Sequence, residues 1–279
     1  MSQADITKLR EWVGKTIVDE DVLDVRHARL MAATIGRGAE DLVTGAPLPP
    51  LWHWLYFLEG LPPERLGRDG HPQRGGFLPP VPLPNRMWAG GRVRFLDALP
   101  VGATVEKRST ILAVEHKQGR SGELVFVTVQ HEIARGGKVA VSEEHDIVYK
   151  GVSPGGPVRQ KVRRAPGEHR ETFVATSTTL FRYSALTFNG HRIHYDQDYC
   201  REVEGYPDLV IHGPLNATLL AGLAQSIAGK PLATFDYRGV QPAILGNALT
   251  LNGVREGERL ELWTALPDER VSMQANATF

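Results

Sequence analysis

The chain has 279 residues, 42% hydrophobic and 23% charged, which is enough for one large domain or two of ordinary size. Its 32 basic and 32 acidic residues cancel, so no bulk positive field recommends nucleic acid as a partner. The opening MSQADITKLREWVGKTIVDEDV lacks the apolar core of a signal peptide, no apolar run approaches the roughly 18 residues of a membrane span, and the one cysteine, Cys200, excludes an internal disulfide; these features read as a cytoplasmic protein in a reducing compartment.

The elements fall in two similar series. Residues 22–35, VLDVRHARLMAATI, predict a helix with Val25, Ala28, Leu30, Met31 and Ala32 near one face, stopped by Gly36 and Gly38. A Pro- and aromatic-rich region follows, then three alternating segments with β-branched residues at period two: ATVEKRSTILAVEHKQ, LVFVTVQHEIARGG and KVAVSEEHDIVYKG. QGRSGE and RGGK read as hairpin tips between them. SPGGP at residues 153–157 breaks regular structure, and the basic RQKVRRAPGEHR at 159–170 reads as a solvated linker.

The second series begins with ETFVATSTTLF, residues 171–181, which its threonines predict to be a strand. Residues 210–228, VIHGPLNATLLAGLAQSIA, predict a short strand running into a helix. Pro214 sits just inside its start, Leu215, Leu219, Leu220, Leu223 and Ile227 form the buried stripe, and Gly229 ends it. PLATFDYRG, GNALTLNGV, RLELWTAL and ERVSMQANATF are the closing strands. Helix first and antiparallel sheet after, twice over, gives an α+β chain of two units: residues 1–152, a linker at 153–170, and residues 171–279.

Between the strand and helix of the second unit lies FNGHRIHYD, residues 188–196. By residue type it is a metal clasp, an acid/base site or a polar turn. His191 and His194 could share an ion only if helical, and no HExxH motif or Cys partner accompanies them, so no metal is expected. Cys200, between Tyr199 and Arg201, reads as a packing residue.

LFRYSALTFNGHRIHYDQDYC followed by LVIHGPLNATLLAGL resembles the MaoC-like enoyl-CoA hydratases and (R)-specific hydroxyacyl-thioester dehydratases. The closer likeness is to the double-hot-dog branch, with mitochondrial type 2 dehydratases and mesaconyl- or itaconyl-CoA hydratases. LWHWLYFLEGLPPERLGRDGHPQRGGFLPPVPLPNRMWAGGRVRF is similar to the degenerate first hot dog of that branch. The resemblance implies a double hot-dog fold, an acyl-CoA substrate and no cofactor. In the wider family an Asp precedes a His by five residues; here the His is His194 and the Asp position holds Asn189, which cannot serve as a base. Either Asn189 orients the water while His194 moves the proton, or another carboxylate substitutes; Asp196 and Asp198 are nearest in sequence.

Hydration of an enoyl thioester needs a base for water, a donor for the enolate oxygen and an acid for the α carbon. His194 suits the base, and the backbone N–H of Gly213, at the start of a helix, suits the enolate. His212 is assigned to shaping that turn, and His191 to the loop or the substrate. A dicarboxylic acyl group needs a cation, for which Arg192, Arg182, Arg74 and Arg86 are candidates, with Trp52, Trp54 and Phe57 as pocket walls and Arg163 and Arg164 for the phosphates of CoA. The expected activity is reversible hydration of itaconyl- or mesaconyl-CoA to citramalyl-CoA, within itaconate degradation, by a homodimer in preference to a monomer. The rivals are an (R)-3-hydroxyacyl-thioester dehydratase of fatty-acid synthesis, a non-catalytic thioester-binding hot dog, and, less favoured, a thioesterase.

Overall fold

The structure is a computed structural model that describes residues 3–119, 122–151 and 162–279. Helix α1 (Gln3–Arg10) is followed by strand β1 (Thr16–Val22) and helix α2 (Val25–Ile35). Strands β2 (Asn85–Phe95), β3 (Thr104–Gly119), β4 (Gly122–Arg135) and β5 (Lys138–Lys150) complete the first half. The second half runs β6 (His169–Val174), α3 (Ser177–Leu186), α4 (Gly213–Ala228), β7 (Thr234–Gly239), β8 (Ala248–Glu256), β9 (Arg259–Ala265) and β10 (Val271–Thr278). All strands join one antiparallel ten-stranded sheet in the order β1-β3-β4-β5-β2-β7-β10-β9-β8-β6. The seam is β2 against β7, Gly90–Arg94 facing Arg238–Thr234, so each half supplies five contiguous strands.

The α+β, double hot-dog arrangement of the sequence reading is present, and the halves differ in how their faces are filled. α4 lies against β7, β8, β9 and β10. Leu215, Leu219, Leu220 and Leu223 are buried there, each contributing about 1.5–3 kcal/mol. Gly229 caps the helix in the left-handed region, as its position after the apolar stripe predicts. α2 is shorter and packs mainly on α3 and on the 3-10 turn Trp52–Leu55. The other face of the first-half sheet carries its own core, in which Ile6, Leu9, Val81 and Leu83 cover Ile111, Val125, Val127 and Tyr149. The Pro-rich run therefore closes a face that no long helix covers.

Three expectations change. Residues 22–24 belong to β1 and a cap, where Asp24 accepts the His27 N–H at 3.0 Å, and Leu30 is 50% exposed rather than on the buried face. The Thr-rich stretch is not one strand. β6 ends at Val174, and Thr176 and Thr179 form a capping box that starts α3. Threonine favours strands by its branching, but its hydroxyl also satisfies the free N–H groups of a helix start, and here that use wins. The linker assigned to 153–170 overlaps β6 at His169 and Arg170, and its residues 153–161, with SPGGP and Arg159, lie outside the described residues. RGGK is the β4–β5 tip, with Gly136 and Gly137 both at positive φ; the centre of QGRSGE, residues 120–121, lies outside the described residues.

Candidate active site

A cavity of about 2020 Å³ runs between the halves. The second half lines it with Asn189, His191, His194 and Gly213, and the first with Trp54, Phe57, Asp69, His71, Arg74, Arg86 and Trp88. The motif sits just past α3. Phe188 turns the chain at φ 47°, and the Asn189 N–H returns to the Ser184 carbonyl at 2.8 Å. The Asn189 side-chain oxygen accepts the His191 N–H at 3.0 Å, so the amide braces the turn. A short 3-10 turn, Arg192–His194, then buries His194.

His194 is held on two sides. Its Nδ1–H donates to the Val210 carbonyl at 2.7 Å, which fixes the tautomer and leaves Nε2 with its lone pair. Its ring stacks on His212 with centroids 3.6 Å apart and planes 20° apart. Burial pushes its pKa down to about 4, against the hydrogen bond to Val210, which raises it. The ring is therefore neutral near pH 7. His212 is fully buried, bonds Ser184 through Nε2 at 2.8 Å, and does not line the cavity. It supports His194 from outside the cavity lining, in keeping with its assignment to shaping the turn and not with its candidacy as a substrate-binding residue.

His212 is also the N-cap of α4, so Gly213 directly follows the ring on which His194 rests. The first N–H groups of a helix have no intrahelical acceptor and sit at its positive end, the arrangement that stabilises a thioester enolate. A Cβ at Gly213 would lie 2.7 Å from Trp88 Cε3, so the missing side chain also seats that indole. Trp88 in turn stacks on Tyr237 at 4.7 Å.

The arginines separate clearly. Arg192 does not line the cavity: its guanidinium pairs with Asp196 at 2.7 Å and lies over the Tyr199 ring, while its backbone N–H donates to the Asp69 carbonyl at 2.9 Å. It joins two loops and is not free for substrate, contrary to the sequence assignment. Arg182 is exposed on α3 away from the cavity. Arg74 lines it but spends its donors on the carbonyls of Val81, Leu83 and Pro84. Arg164 is bidentate to Glu261 and covers Trp263, so it is not an open phosphate site. Arg86 faces the cavity with no carboxylate in ion-pair distance among the described residues, and its charge adds to the burial that depresses His71 and His191.

Trp54 and Phe57 are walls as expected, whereas Trp52 belongs to the core. Cys200 is packing: it is buried, donates to the Ile193 carbonyl, and burial raises it to about 11. Sequence reasoning missed Asp69 and His71, whose Asp-Gly-His spacing lies inside the stretch quoted for the first half. One ligand-type atom from each of Asp69, His71 and His191 lies within 4.8 Å of the others. That spacing would suit an ion, but Asp69 already accepts two N–H groups of His71, and the nearby charge of Arg86 opposes a dication. No helix among the described residues is long and apolar enough to cross a membrane.

Comparison with known proteins agrees with this geometry. The family model for hydroxyacyl-thioester dehydratase type 2 matches residues 51–245. A mesaconyl-C4-CoA hydratase of Chloroflexus aurantiacus is 42% identical over 279 residues, covering 99% of this chain and 98% of its own. Among solved structures, a MaoC-like dehydratase of Phytophthora capsici superposes with a TM-score of 0.74 at 14% identity, covering 98% of this chain and 97% of that one. A Mycobacterium tuberculosis protein with a double hotdog fold gives 0.56 at 11% identity, covering 98% of this chain and 97% of that one. With the motif, the helix start and the whole-length likeness in agreement, the chain belongs to the hydroxyacyl-thioester dehydratase type 2 family.

Proposed function

We propose that the protein is a hydro-lyase that adds water reversibly to the double bond of a short dicarboxylic enoyl-CoA, mesaconyl-C4-CoA or itaconyl-CoA, giving citramalyl-CoA. One observation carries the reading: among the described residues no carboxylate lies in ion-pair distance of Arg86, whose guanidinium meets the Tyr149 hydroxyl and faces the same cavity as the neutral His194 and the α4 start at Gly213. Mesaconyl-C4-CoA carries its carboxylate on the very carbon that receives the hydroxyl, so the cation belongs beside the base. The full-length relative that acts on that thioester supports the choice.

His194 takes a proton from water as the oxygen bonds to the β carbon. The π electrons move to the thioester oxygen, which the Gly213 N–H and the helix dipole stabilise by about 2.7–4 kcal/mol, as for other oxyanion donors. Asn189 holds the turn that carries His191 and His194. Residues 171–279 then form the catalytic unit and residues 1–152 the acyl pocket. The acyl-CoA is the partner, the cytoplasm the compartment, itaconate degradation the setting and a homodimer the assembly.

The cavity volume favours one second reading, dehydration of longer (R)-3-hydroxyacyl thioesters. A spectrophotometric panel of itaconyl-CoA, mesaconyl-C4-CoA, crotonyl-CoA and a long-chain enoyl-CoA separates the two. The expected result is loss of the conjugated thioester with mesaconyl-C4-CoA, and citramalyl-CoA formed from itaconyl-CoA as read by chromatography, with no loss for the unbranched chains. Loss with the unbranched chains alone moves the protein to lipid metabolism, and no loss with any leaves a binding protein.

A further inference from the structure

Asn189 leaves the motif without its carboxylate, and the nearest ones in sequence do not replace it. Asp196 is taken by Arg192 and by the Tyr199 N–H, and neither it nor Asp198 lines the cavity. The carboxylate that meets the motif comes from the first half. Residues 67–71 form a tight turn, with the Gly67 N–H on the His71 carbonyl at 2.7 Å and the Gly70 N–H on the Gly67 carbonyl at 2.9 Å. Asp69 accepts the His71 backbone N–H at 3.1 Å and its Nδ1–H at 3.2 Å. The turn is pressed onto the motif. Gly70 stands at φ +85°, and a Cβ there would fall 1.9 Å from the Gly190 carbonyl oxygen. The Asp69 carbonyl takes the Arg192 N–H, and the Arg192 guanidinium reaches the Arg68 carbonyl at 3.2 Å. The His71 ring then lies 4.2 Å from His191, which meets His194 edge-on at 5.5 Å.

An ionised Asp behind Nδ1–H leaves Nε2 of His71 as the exchanging nitrogen and stabilises the imidazolium when it forms, the logic of an Asp–His pair. His194 has only a neutral carbonyl behind its own Nδ1–H. We propose that Asp69 and His71 are the second proton-transfer pair of this site, standing in for the carboxylate that Asn189 does not supply. The inference rests on the hydratase reading above. In hydration, His194 Nε2 takes one proton from water while the C–O bond forms and the π pair moves to the thioester oxygen. That proton passes from His194 through water in the cavity to Nε2 of His71, which burial and Arg86 keep neutral at rest, and the imidazolium so formed is stabilised by ionised Asp69. The enolate returns its electrons to the α carbon, which takes that proton from His71, so both rings are again neutral and no other reactant is consumed. The charged and titratable groups facing His71 are Asp69 of its own turn, Arg86 of β2, and His191 and His194 of the motif.

The test uses the near-isosteric substitutions Asp69→Asn and His71→Gln in the full chain, with kcat and KM for mesaconyl-C4-CoA hydration followed across pH. The expected result is a fall in kcat of roughly 10²–10³-fold for His71→Gln, within the range of general acid catalysis, with KM within a few-fold. Asp69→Asn loses the counter-charge of the imidazolium, so His71 is protonated only at lower pH and the acid limb of its kcat profile moves to lower pH. A ¹⁵N-histidine NMR titration of the same variant shows His71 titrating at lower pH whatever the substrate. Variants with wild-type kcat, or with losses confined to KM and an unmoved pH profile and titration, overturn the assignment. A wild-type chain that hydrates none of the thioesters overturns the hydratase reading, and this inference with it.

Discussion

The two halves contribute the same number of strands and fill their faces with opposite materials. In the second half, α4 seals the sheet with leucines, and only its first turn, at Gly213, opens to the cavity. In the first half, the 3-10 turn at 52–55 and a buried polar group occupy the corresponding space. Glu143 there accepts from His53 Nε2 at 3.0 Å, from Trp54 Nε1 at 2.9 Å and from the Tyr237 hydroxyl at 3.3 Å. Burial alone would raise Glu143; the hydrogen bond from His53 and the neighbouring histidines overcome it and hold the carboxylate at about 2. The comparison teaches how a duplicated fold divides its work. The half with the sealing helix keeps the base and the oxyanion donor. The half without one has room to supply the cation Arg86 and the Asp69–His71 turn.

Substitutions in each half test that division, and the largest effect belongs to the second. His194→Ala is expected to lower kcat/KM by roughly 10²–10⁴-fold, the usual contribution of a general base, while far-UV circular dichroism stays unchanged. In the first half the corresponding loss is of stability. Glu143→Ala leaves His53, Trp54 and Tyr237 without their acceptor and is expected to cost about 3–5 kcal/mol in urea unfolding. A shift of the midpoint corresponding to under about 1 kcal/mol would show that the cluster does not tie β5 to β7. Gly213→Ala forces Trp88 off its seat at the boundary between the halves. It is expected to cost about 1–3 kcal/mol and to lower kcat without abolishing it.

The smallest effect is shared by both halves. Burial depresses His191 and His194 in one and His131 and His145 in the other. A ring with a lowered folded pKa is charged first in the unfolded chain, which therefore binds more protons as pH falls. Stability is then full above the ordinary histidine value of about 6.5 and declines below it, to about pH 4 for His194. Thermal melts between pH 8 and pH 5 should show a fall in Tm confined to the acid side, and a flat profile would contradict the buried neutral rings.

Much of this was legible in the sequence, because its signals are local. The apolar stripe of α4, with Pro214 and Gly229 at its ends, the alternating strands and the FNGHRIHYD motif all carry their evidence within a few residues. The capping role of Thr176 was hidden because the same residue type favours strand and helix start. The fate of the arginines was not legible, since Arg164 and Arg192 look free until partners about a hundred residues away take their donors, and Arg74 until its own loop folds back to offer the carbonyls of Val81, Leu83 and Pro84. Asp69 and His71 escaped notice for a related reason. They lie about 120 residues from the motif, and only the docking of Gly70 on Gly190 brings them to it.

The most direct test of the account is the ratio of kcat/KM for mesaconyl-C4-CoA to that for crotonyl-CoA, measured in the wild type and in Arg86→Ala. A charge-assisted hydrogen bond of about 1.5–3 kcal/mol predicts that the ratio falls roughly 10- to 100-fold, through the dicarboxylic substrate alone. An unchanged ratio would contradict the assignment of the first half as the source of the substrate's counter-charge.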